Sequence, residues 1–116
     1  MRILVCGNRN WRDMSVIERE LKKFPHGTVV IHGACRGADT LGGFVADRLG
    51  FKVLVFPAKW SIYGRGAGHV RNQHMLDEGK PDLVLAFHEN ISESRGTKDM
   101  VNRARGVGIK VEIFKK

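Results

Sequence analysis

Val29-Val30-Ile31-His32-Gly33-Ala34-Cys35-Arg36-Gly37-Ala38-Asp39 is the stretch that decides the fold. Its β-branched start suits a buried strand. Two glycines four residues apart, Gly33 and Gly37, then turn the chain. A helix follows at once, because Leu41, Phe44, Val45 and Leu49 recur at helical spacing. A strand, a glycine-rich turn and a helix together can hold an anion. The free N–H groups of a first helical turn point outward, and the macrodipole adds partial positive charge there. Gly33 and Gly37 would let a phosphate approach the backbone with no Cβ in the way. Arg36 adds a planar donor fork suited to phosphate or carboxylate. The plainer reading is a turn whose glycines only solve backbone geometry. His32, at the strand end, then serves structure rather than a ligand.

The same alternation runs outward in both directions. Residues 2–6 form an apolar first strand, followed by a polar loop led by Gly7-Asn8-Arg9. A first helix starts near Ser15, with Ser15 and Glu18 in capping-box spacing. Pro25-His26-Gly27 stops it, and residues 28–31 form the second strand. Residues 51–56 are a third strand, and residues 58–68 a long loop. A helix over residues 69–78, a strand over 82–87 and a polar loop over 88–95 come next. A helix over 96–105, with Met100, Val101 and Ala104 facing inward, leads to a last strand at 109–114. The alternation predicts an α/β fold in one domain over residues 1–116: a Rossmann-like three-layer sandwich, with a five-stranded parallel sheet covered by helices on both faces. The expected strand order is 3-2-1-4-5, with the site at the switch point.

Composition narrows the partners. The chain of 116 residues carries a net charge of +8. Such an excess suits an acidic partner: nucleic acid, nucleotide or another phosphate. No apolar run approaches a transmembrane length, so no membrane partner is expected. The opening Met1-Arg2-Ile3-Leu4-Val5-Cys6-Gly7 is too short for a signal peptide, which predicts a cytoplasmic protein. Cys6 and Cys35 form no CxxC pair and are expected as free thiols near each other beyond two strand ends. The five histidines lack metal spacing, and there is no P-loop, nucleophile elbow or GxGxxG directly after a strand. No metal and no cofactor are therefore expected.

The connections differ in content. Those after helices are short turns. Those after strands carry both tryptophans, the only tyrosine and six arginines: Arg9, Arg12, Arg36, Arg65, Arg71 and Arg95. In open α/β sheets ligands sit beyond the carboxyl ends of the strands, so these arginines collect where a ligand would bind. Three elements stand out beside the first. Gly7-Asn8-Arg9 offers close backbone approach and hydrogen-bonding side chains. Arg71-Asn72-x-x-Met75 opens the third helix, where an arginine opposes the dipole unless a bound anion relieves it or a carboxylate such as Asp77 pairs with it. Ser94-Arg95-Gly96-Thr97 offers N–H groups and a hydroxyl to phosphate, or caps the fourth helix through Ser94 or Thr97. Trp60 and Tyr63 either stack a base or anchor their loop on the core.

These blocks, with Tyr63-Gly64-Arg65-x-Ala67-Gly68 and Arg95-Gly96-Thr97-x-Asp99-Met100, resemble the small stand-alone proteins of the SLOG superfamily, named for the Smf/DprA and "lonely guy" (LOG) proteins. The likeness covers nearly the whole chain and points to bacterial and phage members of the YspA-related, or YAcAr, type. It implies a Rossmann-like fold that binds nucleotides or their derivatives. LOG enzymes cleave the N-glycosidic bond of a nucleoside 5′-monophosphate, using an Arg-Lys-x-x-Met-like helix start and Pro-Gly-Gly-x-Gly-Thr-x-x-Glu. Arg71 and Met75 match the first, with Asn72 in place of the lysine. Gly96 and Thr97 match the second, but Met100 stands where the glutamate belongs. A carboxylate beside the sugar stabilises an oxocarbenium-like state or activates water, and Met100 can do neither. Asp99 lies one residue off, about 100° around the helix. Asp39 is the better substitute, unless it serves only as a first-turn carboxylate of its helix.

Three readings follow. The first is a nucleotide sensor or carrier. Arg36, Arg71 and the turns at Gly33 and Gly96-Thr97 hold phosphate, Asn8 and Asp39 contact sugar or base, and Gly7, Arg9, His32, Gly37 and Asn72 complete the ligand-binding set. The second is a phosphoribohydrolase-like enzyme with Arg71 and Asp39 as its catalytic residues. The third is single-stranded DNA binding, as in DprA-like relatives. The dimers of LOG enzymes imply, by resemblance only, a homodimer.

Overall fold

The computed structural model describes residues 1–115. Strands β1 (Arg2–Gly7), β2 (Val29–His32), β3 (Lys52–Val55), β4 (Leu83–Phe87) and β5 (Lys110–Phe114) form one parallel sheet in the order β3-β2-β1-β4-β5. This is the expected order. β1 and β4 lie at the centre, in register from Ile3 beside Leu83 to Gly7 beside Phe87. Both are covered on two faces, which is why they read as unbroken apolar runs rather than alternating ones. Helices α1 (Met14–Leu21) and α2 (Ala38–Arg48) cover one face. After a four-residue helix, α3 (Trp60–Tyr63), the helices α4 (Ala67–Gly79) and α5 (Gly96–Gly106) cover the other.

Strand pleating divides the core in two. Ile3 and Val5 point toward Ile17 and Leu21 of α1 and Val45 and Ala46 of α2. Leu4 and Cys6 point the other way, toward Met75 and Leu76 of α4 and Met100, Val101 and Ala104 of α5. Alternate residues of one strand thus serve opposite layers. Among the described residues no helix is long and apolar enough to cross a membrane.

Three local expectations are corrected. The cap of α1 is Asp13, not Ser15: the Asp13 carboxylate accepts the Ser15 N–H at 3.0 Å, so the helix begins earlier. The face that α2 buries is made largely of small residues. Phe44 is exposed, with the Arg48 guanidinium over its ring, while Gly42, Gly43 and Ala46 are buried. A Cβ on Gly42 would lie 2.7 Å from a Val5 methyl, and one on Gly43 2.5 Å from Nε2 of His32. The helix therefore sits close upon the sheet through its glycines. Finally, residues 58–68 are not one loop. Gly64, at φ 58°, separates α3 from a single 3-10 turn at Gly64–Gly66, and α4 starts at the fully buried Ala67.

The chain moves outward from β1 through β2 to β3, then returns to the other side of β1 for β4. The loops after β1 and β4 diverge at that reversal and open a crevice at the carboxyl edge.

Candidate functional site

A cleft of about 900 Å³ occupies this crevice. The end of β1 supplies Gly7 and the loop after it Asn8 and Arg9, and the turn after β2 supplies Cys35 and Arg36. Trp60, Arg65, His69, Arg71 and Asn72 come from α3, α4 and the turn between them, and Ser94 to Thr97 enter from the start of α5. Five arginines, Arg9, Arg36, Arg65, Arg71 and Arg95, line it against two carboxylates, Asp39 and Glu93. Arg36, Arg71 and Gly96 share one hollow. Arg12, grouped with them in sequence, lies outside its wall, as do His32, Gly33 and Gly37.

Arg71 is the most constrained of these side chains. Because α4 starts four residues before it, Arg71 sits in the second turn rather than the first, and it is only 8 % exposed. Its Nε donates to Oδ1 of Asn72 at 3.0 Å, and Nη1 donates to the Gly33 carbonyl. Nη2 lies 3.6 Å from the Cys35 sulfur. Asp77 is not its partner and accepts from Gln73 instead, at 3.0 Å.

This placement changes the meaning of the glycines. A Cβ on Gly33 would overlap the Arg71 guanidinium. Gly37, at φ 81°, faces the backbone of Asn8 and Arg9, and the Asn8 carbonyl accepts the Ala38 N–H at 3.1 Å. The close approach at Gly33 and Gly37 is therefore chain against chain, not backbone against ligand. Gly96 differs: an added Cβ there meets nothing within 4 Å. It is the open glycine of the site.

His32 lies buried against Gly43, and its Nδ1 accepts the Ala34 N–H at 3.0 Å. Burial first, and then the Arg71 charge, hold its pKa below the ordinary value. It is a neutral, satisfied side chain. Asp39 lies on the cleft wall, in the first turn of α2, and accepts the Gly33 N–H at 3.0 Å. Burial pushes its carboxyl up to about 6, against the opposing pull of the Gly33 N–H and the Arg71 charge. Cys6 and Cys35 are both free and both line the cleft. Burial, and then Asp39, push the Cys6 thiol well up.

The entrance to α5 is held from two sides. Ser94 Oγ accepts the Thr97 N–H at 3.0 Å, the capping arrangement. Asn72 donates to the Gly96 carbonyl at 3.2 Å and to Asp99 at 3.0 Å. Asp99 also receives Arg103 Nε at 2.8 Å and stands 3.4 Å from Nδ1 of His69. It therefore ties α4 to α5, whereas the buried Met100 is the neighbour that lines the cleft. Asn8 is likewise engaged, taking the Asn10 N–H at 2.8 Å and donating to Glu89 at 2.9 Å. Of the two aromatic residues that the sequence offered for stacking, Trp60 lines the cleft and Tyr63 does not; His69 and Glu93 line it without having been singled out for it. The approach of His69 to Asp99 joins two helices, and no spacing rule gives such a contact.

The profile of the YspA, cpYpsA-related SLOG family (YAcAr) matches residues 1–63. The chain belongs to this family. That span holds the first three strands and the turns after β1 and β2. The YAcAr chain is also 36% identical, over 126 aligned positions, to the "Gene 61 protein" of Mycobacterium phage D29, covering 97% of this chain and 95% of that one. No solved structure matches it. SLOG membership connects this YAcAr protein to nucleotide-related function.

Proposed function

We propose that this YAcAr protein binds a nucleotide or nucleotide-derived phosphate ligand in the cleft at the carboxyl edge of its sheet, as a sensor, carrier or nucleotide-processing protein. The observation that carries this reading is five arginines facing two carboxylates across one hollow. Arg71 is oriented in advance by Gly33 and Asn72. A guanidinium has five N–H donors, and these bonds leave others for an anion. A fixed donor beneath a partly desolvated site binds phosphate more strongly than a mobile one. Arg36 and Arg95, both exposed, approach from opposite walls. Gly7, Asn8, Arg9 and the open backbone at Gly96 beside Thr97 complete the wall, and in this reading Asp39, on the same wall, takes a sugar hydroxyl. The family's nucleotide connection supports the choice of ligand class.

One observation favours a second reading, hydrolysis of the N-glycosidic bond. Asp39, pushed up to about 6, exchanges a proton near neutral pH beside Arg71. That reading ranks second because Met100 puts a thioether on the cleft wall. Single-stranded DNA is the third candidate for the basic cleft.

Calorimetric titration with adenosine, guanosine, cytidine and uridine 5′-monophosphates, with chromatography for free base, tests the proposal. Saturable one-site binding without base release is expected. Arg36→Ala should weaken it about 10-fold or more, the value of a charge-assisted hydrogen bond. Release of free base would favour the hydrolase. Steeply salt-dependent binding of single-stranded DNA, with no mononucleotide binding, would favour the third reading. No heat with any of the four mononucleotides would overturn the proposal.

A further inference from the structure

The chain keeps one indole buried and one in water. Trp11 is 4 % exposed; its Nε1 donates to the Asp13 carbonyl at 2.8 Å, and its ring meets Phe87 edge-on at 5.8 Å. Trp60 is 59 % exposed at the start of α3, a helix with no buried residue. Trp60 therefore does little to hold the fold, and its large apolar face is left uncovered beside the cleft. Its neighbours on α3 are placed differently. Ile62, at 67 % exposure, lines neither that cleft nor the smaller hollow of about 260 Å³ on the β3 side of Arg71, and Tyr63 lines only the smaller one. Trp60 alone of the three lines the cleft that holds the five arginines.

The ring is also close to the fixed guanidinium. A methyl group placed on Gly68 would touch Cη2 of Trp60 at 3.8 Å and an Nη of Arg71 at 3.7 Å. An apolar plate and a rigid cation thus border one point on the cleft wall. A nucleotide has the complementary pair, a flat aromatic ring joined through a sugar to an anion.

We propose that Trp60 is the base platform of the cleft: the purine or pyrimidine of a nucleoside phosphate stacks on its indole while the phosphate faces the arginines. This rests on the nucleotide reading above and narrows it. The ligand carries its base, and neither a sugar phosphate nor inorganic phosphate fills the site. Every base has a π-face, so the platform favours a base over none without choosing among bases. Stacking of this kind is worth about 5- to 150-fold in affinity.

The test is calorimetry on the full chain with ribose 5-phosphate and with whichever of the four nucleoside 5′-monophosphates gives the largest heat. Wild-type protein should prefer the nucleotide by roughly 5- to 150-fold. Trp60→Ala should bring nucleotide affinity down to the ribose 5-phosphate level and leave ribose 5-phosphate unchanged. Trp60→Phe should restore most of the difference. Ile62→Ala should change neither affinity. Thermal midpoints of the Trp60 variants should match wild type, since α3 buries no side chain. Equal wild-type affinity for the two probes would overturn the platform, as would a Trp60→Ala variant that weakens both alike or neither. Wild-type protein that binds neither probe would remove the nucleotide reading itself, and the platform with it.

Discussion

Burial sets the behaviour of Asp39. Its carboxyl stands at about 6 in the fold against 3.8 ordinarily, so the folded chain holds this proton longer than the unfolded one. Stability from this group is therefore greatest where both states are protonated. It falls as pH rises from 3.8 to about 6 and is level above that. The difference corresponds to about 3 kcal/mol, at roughly 1.36 kcal/mol per pH unit. Asp39→Asn keeps an oxygen for the Gly33 N–H and removes the titration. Urea midpoints measured from pH 4 to 7 should fall in wild type relative to this variant, and parallel curves would refute the buried carboxyl. Arg71 and Arg36 separate stability from binding. Arg71→Ala leaves the Gly33 carbonyl and Asn72 without their donor, a loss of about 1–3 kcal/mol that a thermal melt will show. Arg36→Ala, at an exposed position, should leave the melt unchanged. That Arg71 would stand at the carboxyl edge of the sheet was legible in the sequence. Its main partner was not, because that carbonyl belongs to a residue 38 positions earlier and no spacing rule connects them.

Elements were legible where periodicity was strong and less so where glycine interrupted it. The helical period placed α1, α4 and α5, and the β-branched runs placed the strands. The apolar face of α2 was read rightly at Leu41, Val45 and Leu49, which pack on the core, and wrongly at Phe44, because part of its contact with the sheet is made by absence. Gly42 and Gly43 let the helix descend onto Val5 and His32, and a hydrophobicity pattern does not register a missing side chain. Gly42→Ala tests this. Alanine favours a helix by up to about 1 kcal/mol over glycine, yet here its Cβ would press on a core methyl at 2.7 Å. Overpacking of this kind costs about 1–3 kcal/mol. The variant should melt several degrees lower, whereas Gly96→Ala, with open space around it, should not. A Gly42→Ala protein more stable than wild type would show that α2 does not rest on those glycines. Gly64, Gly66 and Gly68 hid α3 and the start of α4 in the same way. Three glycines in five residues read as a breaker, although only Gly64 adopts a positive φ.

At the scale of the whole molecule the sequence predicted more than its parts. Alternation of strands and helices led to the sheet order, and the order fixed the edge at which the loops after β1 and β4 part. The arginines in those loops meet there because parallel strands deliver every such loop to one edge. What alternation does not convey is how deep each side chain reaches. Arg71 forms the wall, Arg12 stays outside it, and His32 disappears beneath α2. The net charge of +8 is therefore concentrated in part on one cleft. The most direct measurement is a two-dimensional ¹H–¹⁵N spectrum of the full chain during titration with a nucleoside 5′-monophosphate. Saturable shifts should cluster at residues 7–9, 34–37, 65–72 and 94–97, with the turns after the helices, residues 25–27, 49–50, 79–81 and 106–108, unmoved. Shifts confined to those opposite turns, or spread without pattern over the basic surface, would contradict a single phosphate-binding cleft.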